Sequence, residues 1–362
     1  MPEKKPETAP PDEAERETLR DLARGVIRAQ GNVFIKELLR GKGVRIGATK
    51  EEFERNLFAA IETGDLRLAD VEKWLDEVEG WGNQHVYLFA VPDELAAAEA
   101  LSSADAMRRK VKEAALDEFW AAATSRAFPE ALQLTSIRFD GDQLQLTWHE
   151  GDISWARGKE EKDLDRPLDI GIEHYELRAY RQINRRSVMR FELRLKERLA
   201  AIFLSIAWEE QAHGAAVVAV IETLGKLVDV AALQERQVLI GDVIKKLDQG
   251  ATVGKRPAAA TVRAQSTRLT GNSAYVEMGS SSDAGSYLDD PTIGAVRQAI
   301  KTNELATLTG TSASFEILAQ GLKPLSRDVR LHLSGPQKRV RIWKLLSAEE
   351  VWAILKFLAR YQ

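Results

Sequence analysis

Three stretches of the 362-residue chain carry side chains at spacings that could support chemistry. Glu160-Glu161-Lys162 has the carboxylate–lysine half of a metal-dependent nuclease motif, with Asp140 or Asp142 upstream. Carboxylates of that kind must converge from strands on Mg²⁺ to activate a water. Here the triplet sits in a charge run from Arg157 to Arg166 that reads as a solvated loop. Gly250-Ala-Thr-Val-Gly254-Lys255 has part of the spacing of a phosphate-binding loop. It is one residue short, lacks Ser or Thr after the lysine, and follows a helical pattern where the mechanism needs a strand. Glu210-Gln-Ala-His213 places a carboxylate and an imidazole on one side of a helix, but a carboxylate-bridged di-metal site needs two such pairs and two further glutamates. The other histidines, His85, His149, His174 and His332, have no ligand spacing, and no G-x-S-x-G elbow occurs. The chain contains no cysteine, which excludes disulfides, thiolate metal sites and a cysteine nucleophile. These residues assign no catalytic group, no metal ligand and no cofactor, so a non-enzymatic protein is expected.

The positive charge is more informative. Net charge is −4, yet Arg178, Arg181, Arg185, Arg186, Arg190, Arg194, Lys196 and Arg198 fall within one short stretch, opposed by Glu192 and Glu197. On a strand alternate residues share a face, so Arg190, Arg194, Lys196 and Arg198 are expected to line one side, opposite Phe191, Leu193 and Leu195. A second group, Lys323, Arg327, Arg330, Lys338, Arg339, Arg341 and Lys344, faces only Asp328. Two such patches on an acidic protein suit a polyanion, because Lys and Arg neutralise phosphates and release counterions.

The elements that must hold these residues divide the chain into four. Pro2 to Asp12 is rich in proline and charge and is expected to be a disordered tail, residues 1–12. Residues 13–125 read as a helical bundle. Leu38 and Leu39 mark one short helix, Gly41-Lys42-Gly43 ends it, Val44–Gly47 is extended, and Thr49 with Glu52 forms a capping box that starts the next. An alanine-rich helix is expected over 93–124. Residues 126–249 switch to period two: Leu134–Phe139 and Gln143–Trp148 flank Asp140-Gly141-Asp142, a hairpin signal, and two basic strands flank a turn at Asn184-Arg185-Arg186. Residues 250–362 alternate strands with helices and end in a helix capped by Ser347 and Glu350. The expected class is α+β: an N-terminal helical bundle followed by mixed antiparallel-sheet and helix domains. The longest apolar runs, Leu199–Trp208 and Ala215–Ile221, fall far short of the ~20 residues needed to span a bilayer, and no secretory signal opens the chain. A cytoplasmic protein is expected.

The stretch from Val33 to Gly64, with Leu38, Leu39, Gly43, Gly47, Thr49, Lys50 and Leu57 in place, resembles the SAP-type helix–extended–helix module. That resemblance implies DNA binding and adds Lys36, Arg40, Lys42, Arg45 and Lys50 to the candidate contacts. The order of a helical N-terminus, an alternating hairpin at Leu134–Trp148 and a basic α+β body also resembles the architecture of the centromere protein N family, whose members meet DNA through the helical bundle and a basic groove. The chain is therefore expected to be a sequence-nonspecific DNA-binding subunit of a larger bacterial complex in genome maintenance or phage defence. Its expected contacts are the N-terminal cations, Arg178–Arg198, and Lys338, Arg339 and Arg341. Further protein subunits and self-association into a homo-oligomer are the other expected partners. Two alternatives stand beside it: an interaction adaptor built on a death-fold-like bundle, and a metal-dependent nuclease with dispersed acids.

Overall fold

A computed structural model of the chain describes residues 32–81, 83–122, 129–205, 213–252, 260–268, 275–279, 291–302 and 312–362, with Glu13, Glu17, Arg20, Asp21, Ala23, Arg24 and Ile27. The expected tail at 1–12 lies outside these residues. Helices and antiparallel strands both build the fold, as the α+β pattern predicts. No helix among the described residues is long and apolar enough to cross a membrane.

Helix α1 (Asn32–Gly41) leads through an extended link into α2 (Lys50–Glu62), and α3 (Leu68–Trp81) follows. Ile35, Leu39, Phe53, Leu57, Ile61, Val71, Trp74 and Leu75, spaced at helical intervals, meet in one cluster with Ala23 and Ile27. Chain reversal after α1 depends on Gly43, whose φ of +70° is costly for a residue with a Cβ. There the Val44 amide donates to the Leu39 carbonyl at 2.9 Å.

Strands β1 (Gln84–Ala90), β2 (Gln133–Phe139), β3 (Gln143–Ala156), β6 (Arg181–Arg194), β7 (Leu199–Ser205), β8 (Ala260–Arg268), β9 (Tyr275–Gly279), β10 (Ser312–Ile317), β11 (Val329–Ser334) and β12 (Arg339–Ile342) form a ten-stranded sheet ordered β2-β3-β6-β7-β1-β12-β11-β10-β8-β9. Strands β4 (Arg166–Ile170) and β5 (Glu173–Leu177) form a separate hairpin. The Asp140-Gly141 turn joins β2 to β3 as expected, with Gly141 at φ +96°.

The sheet buries both faces near its middle. On β1, Val86 and Leu88 point into one core and Phe89 into the other; on β7, Leu199, Ala201 and Phe203 oppose Ala200, Ile202 and Leu204. A strand covered on both sides reads as a continuous apolar run, which is why Leu-Ala-Ala-Ile-Phe-Leu shows no alternation. Helices α7 (Ile240–Thr252) and α9 (Ala348–Ala359) supply Val243, Ile244, Leu247, Val351, Ile354, Leu355 and Leu358 to the first core. Helices α4 (Ala104–Glu113) and α5 (His213–Gly225) supply Met107, Val111, Ala216, Val220 and Leu224 to the second. Between α5 and α7 lies the short α6 (Val230–Gln234), and α8 (Pro291–Thr302) follows β9.

Four expectations need correction. The segment 13–125 is not helical throughout, because Gln84–Ala90 is the strand β1. The helix expected over 93–124 is broken into Asp93–Ala96, Glu99–Leu101, α4 and Asp117–Phe119. Alanine content favours helix along that stretch, but Ser103 caps a new start by accepting from the Ala106 amide, and Ala115 turns at φ +55°. No turn occurs at Asn184-Arg185-Arg186: β6 runs through it as one strand. Finally, strands from all three expected folded segments share one sheet, so the divisions at 125/126 and 249/250 do not follow the packing. The chain instead forms one unit of residues 1–80, 127–131 and 150–187 and another of 81–126, 132–149 and 188–362.

Candidate nucleic-acid interface

On β6 the alternation is as expected, but its basic face is not turned to water. Arg190, Glu192 and Arg194 lie opposite Phe203, Ala201 and Leu199 of β7, three side chains of the first core. Arg190 is only 5% exposed and Glu192 is fully buried. The Arg190 guanidinium lies 3.7 Å from the centre of the Trp81 ring and 4.6 Å from that of Phe203, and the Arg194 guanidinium lies 4.4 Å from that of Trp352. Glu192 joins the two, 2.8 Å from Arg194 and 3.7 Å from Arg190. Burial brings the Arg190 pKa down to about 10, against the pull of Glu192 and with a smaller push from Arg194. This buried Arg-Glu-Arg row is roofed by tryptophans. It cannot track a phosphate backbone.

Apart from Arg185, the rest of the Arg178–Arg198 group is also paired. Arg181 meets Glu161 at 3.2 Å and Glu54 at 3.6 Å, and Arg186 forks onto Glu79 at 2.6 and 2.8 Å. Arg178 pairs with Glu176, Lys196 with Asp142 and Arg198 with Asp93, at 2.8, 3.2 and 3.0 Å. These last three keep exposed charge in surface pairs worth little. Lys196 and Arg198 sit in the turn after β6, where Arg198 adopts φ +55°, so they do not continue the strand row. The backbone of Arg185 is in β6, and its side chain lies outside the described residues.

The C-terminal group is split between tip and interior. Lys338 is exposed in the turn between β11 and β12 at φ +48°. Arg339 is 8% exposed, and its Nη1 lies 3.1 Å from Nδ1 of His213 at the start of α5. Arg341 stacks on Trp343, 5.2 Å from its ring centre. Register sets His85, Arg341, His332 and Ser314 in one row across β1, β12, β11 and β10. Burial drives the His85 pKa down to about 3, aided by Arg339, His213, Arg341 and His332. Burial, with Arg339 and Arg341, lowers His332 as well. Both imidazoles are therefore held neutral. Sequence spacing did not disclose this row, because it is made by register between strands distant in the chain.

On α1 and the link that follows it, Arg40 and Arg45 are exposed and Lys36 is half-buried. None of the three makes an ion pair among the described residues. Lys42 pairs with Asp70, and Lys50 is engaged within the fold. The link is shaped by Gly47: a Cβ there would come 2.4 Å from the Glu52 Cβ. The Thr49 hydroxyl accepts from the Glu52 amide as a cap, while the Glu52 carboxylate accepts from the Ala48 amide, chiefly for which its pKa falls below the usual range.

Of the stretches with chemical spacing, Glu161 is buried against Arg181, with the Gly158 amide donating to its carboxylate at 2.7 Å. The Arg157–Arg166 run is therefore not wholly a solvated loop. His213 is a packed histidine, 4.6 Å from the His85 ring. Glu210 and residues 253–255 lie outside the described residues. Comparison with models of known protein families and with curated protein sequences finds no match.

Proposed function

We propose that the protein is a non-enzymatic, cytoplasmic, sequence-nonspecific DNA-binding subunit of a larger assembly. In this reading α1–α3 act as an N-terminal helical bundle that meets phosphate through its helix–link–helix. The observation that carries it is the contrast among the cations. Arg181, Arg186, Arg190 and Arg194 of β6 are engaged by carboxylates and aromatic rings of the chain itself, whereas Lys36, Arg40 and Arg45 around the link make no ion pair among the described residues. Lys36 and Arg40 occupy one helix four residues apart, hence one face, and Arg45 follows on the extended link. Cations so placed can neutralise a backbone without reading base edges.

The test is fluorescence anisotropy on unrelated duplexes at several salt concentrations, with the triple variant Lys36→Gln, Arg40→Gln, Arg45→Gln. If each residue contacts one phosphate, the slope of log affinity against log salt falls by roughly 2.7, equally on every duplex. An unchanged slope in a well-folded variant removes the helix–link–helix from the account.

A further inference from the structure

The β4–β5 hairpin stands as its own two-stranded sheet, and every residue of both strands is exposed. Its register pairs Arg166 with Leu177, Leu168 with Tyr175 and Ile170 with Glu173, and, between these, Pro167 with Glu176 and Asp169 with His174. Cross-strand partners share a face and neighbours along a strand alternate. One face is therefore Leu168, Ile170, Tyr175 and Leu177, with Arg166 at the base and Glu173 at the tip. The other is polar, with His174 on Asp169 at 2.6 Å. On the apolar face Leu168, Ile170, Tyr175 and Leu177 are 38%, 58%, 45% and 38% exposed, and Ile172 at the turn is 96% exposed. A two-stranded hairpin is at best marginally stable in water without something on its apolar face.

We propose that this face is covered by the same face of a second copy of the chain, the two hairpins lying antiparallel about a two-fold axis. Charge selects this occupant. Arg166 makes no ion pair among the described residues and lies at the opposite end of the face from Glu173, roughly 13 Å away along the strand. A two-fold operation that sets tip against base brings Arg166 of each copy to Glu173 of the other, with Leu168 and Tyr175 at the axis. An isologous contact requires this self-complementarity. Pro167 removes a backbone donor from β4, which disfavours edge-to-edge addition there and leaves the face as the contact. The area is small, so the dimer is a weak one of the transient class.

The test is sedimentation equilibrium of the full chain over a range of concentrations, with circular dichroism and thermal melting to confirm that each variant is folded. Wild-type protein should reach twice its monomer mass at high concentration, and the double variant Leu168→Glu, Ile170→Glu should remain a monomer. Arg166→Glu alone and Glu173→Arg alone should each raise the dissociation constant about five- to ten-fold, since each reverses two contacts per dimer. Combining them should restore the wild-type constant. A monomeric wild type at every concentration would overturn the proposal. So would a dimer indifferent to the Glu substitutions, or single reversals that the combination fails to rescue. None of these readings involves DNA, so the outcome is independent of the proposed function.

Discussion

Arg190 illustrates how a residue that reads as a binding group can instead be part of the interior. Its guanidinium lies in the corner formed by the edge-to-face rings of Trp81 and Phe203, and its charge is offset by Glu192, which is itself shared with Arg194. Breaking a buried charge row leaves an uncompensated ion, at a cost of about 3–5 kcal/mol. Glu192→Gln, which leaves buried Arg190 without its carboxylate and Arg194 with only Glu197 at 3.9 Å, should therefore lower stability by roughly that amount in urea denaturation. A loss below about 1 kcal/mol would mean the row is hydrated. His85 gives a second expectation at this scale. The unfolded chain takes up a proton at the ordinary pKa of 6.5, while the folded chain resists until about 3. Acid therefore favours unfolding across that window: stability is full above pH 6.5 and is lost as pH falls, by up to about 1.4 kcal/mol per pH unit. Thermal melting between pH 7 and 4.5 should show the decline, and His85→Gln should flatten it. His332, lowered chiefly by burial, acts in the same direction.

At the scale of elements, the link between α1 and α2 turns on one atom that is missing. Gly47→Ala would place a Cβ against Glu52 in the first turn of α2, costing about 1–3 kcal/mol by overpacking and loosening the cap. Ser347→Ala should cost about 1 kcal/mol, because its hydroxyl accepts from the Glu350 amide in a complete capping box. Chemical denaturation of the two variants checks both. Local signals of this kind were legible in the sequence. The caps at Thr49 and Ser347 and the turn at Gly141 each depend on a few neighbouring residues. What was not legible depended on distant ones. Whether the basic side of β6 faces water is decided by Trp81 and Trp352, which come from opposite ends of the second unit. The His85–Arg341–His332 row is decided by strand order. Gln84–Ala90 was hidden among helices because a short apolar run fits either period.

At the scale of the molecule, the first unit closes residues 1–80 together with 150–187, so its pieces are not contiguous in the chain. Glu54 and Glu79 answer Arg181 and Arg186 across that gap. Removing residues 1–80 should therefore yield poorly soluble protein with unpaired arginines, not a folded remainder, as expression and melting of the truncated chain would show. In the proposed function the phosphate contacts come from Lys36, Arg40 and Arg45, and the molecule as a whole is acidic, with net charge −4. Binding should accordingly be confined to few phosphates and be strongly salt-dependent. The most direct measurement is the affinity of the wild-type chain for several unrelated DNA duplexes, by fluorescence anisotropy from about 50 to 200 mM salt. Binding is expected at the low end, with a linear fall of log affinity against log salt and the same line for every duplex. Absence of binding at about 50 mM salt, or affinity that differs among duplexes with little salt dependence, would contradict the proposed function.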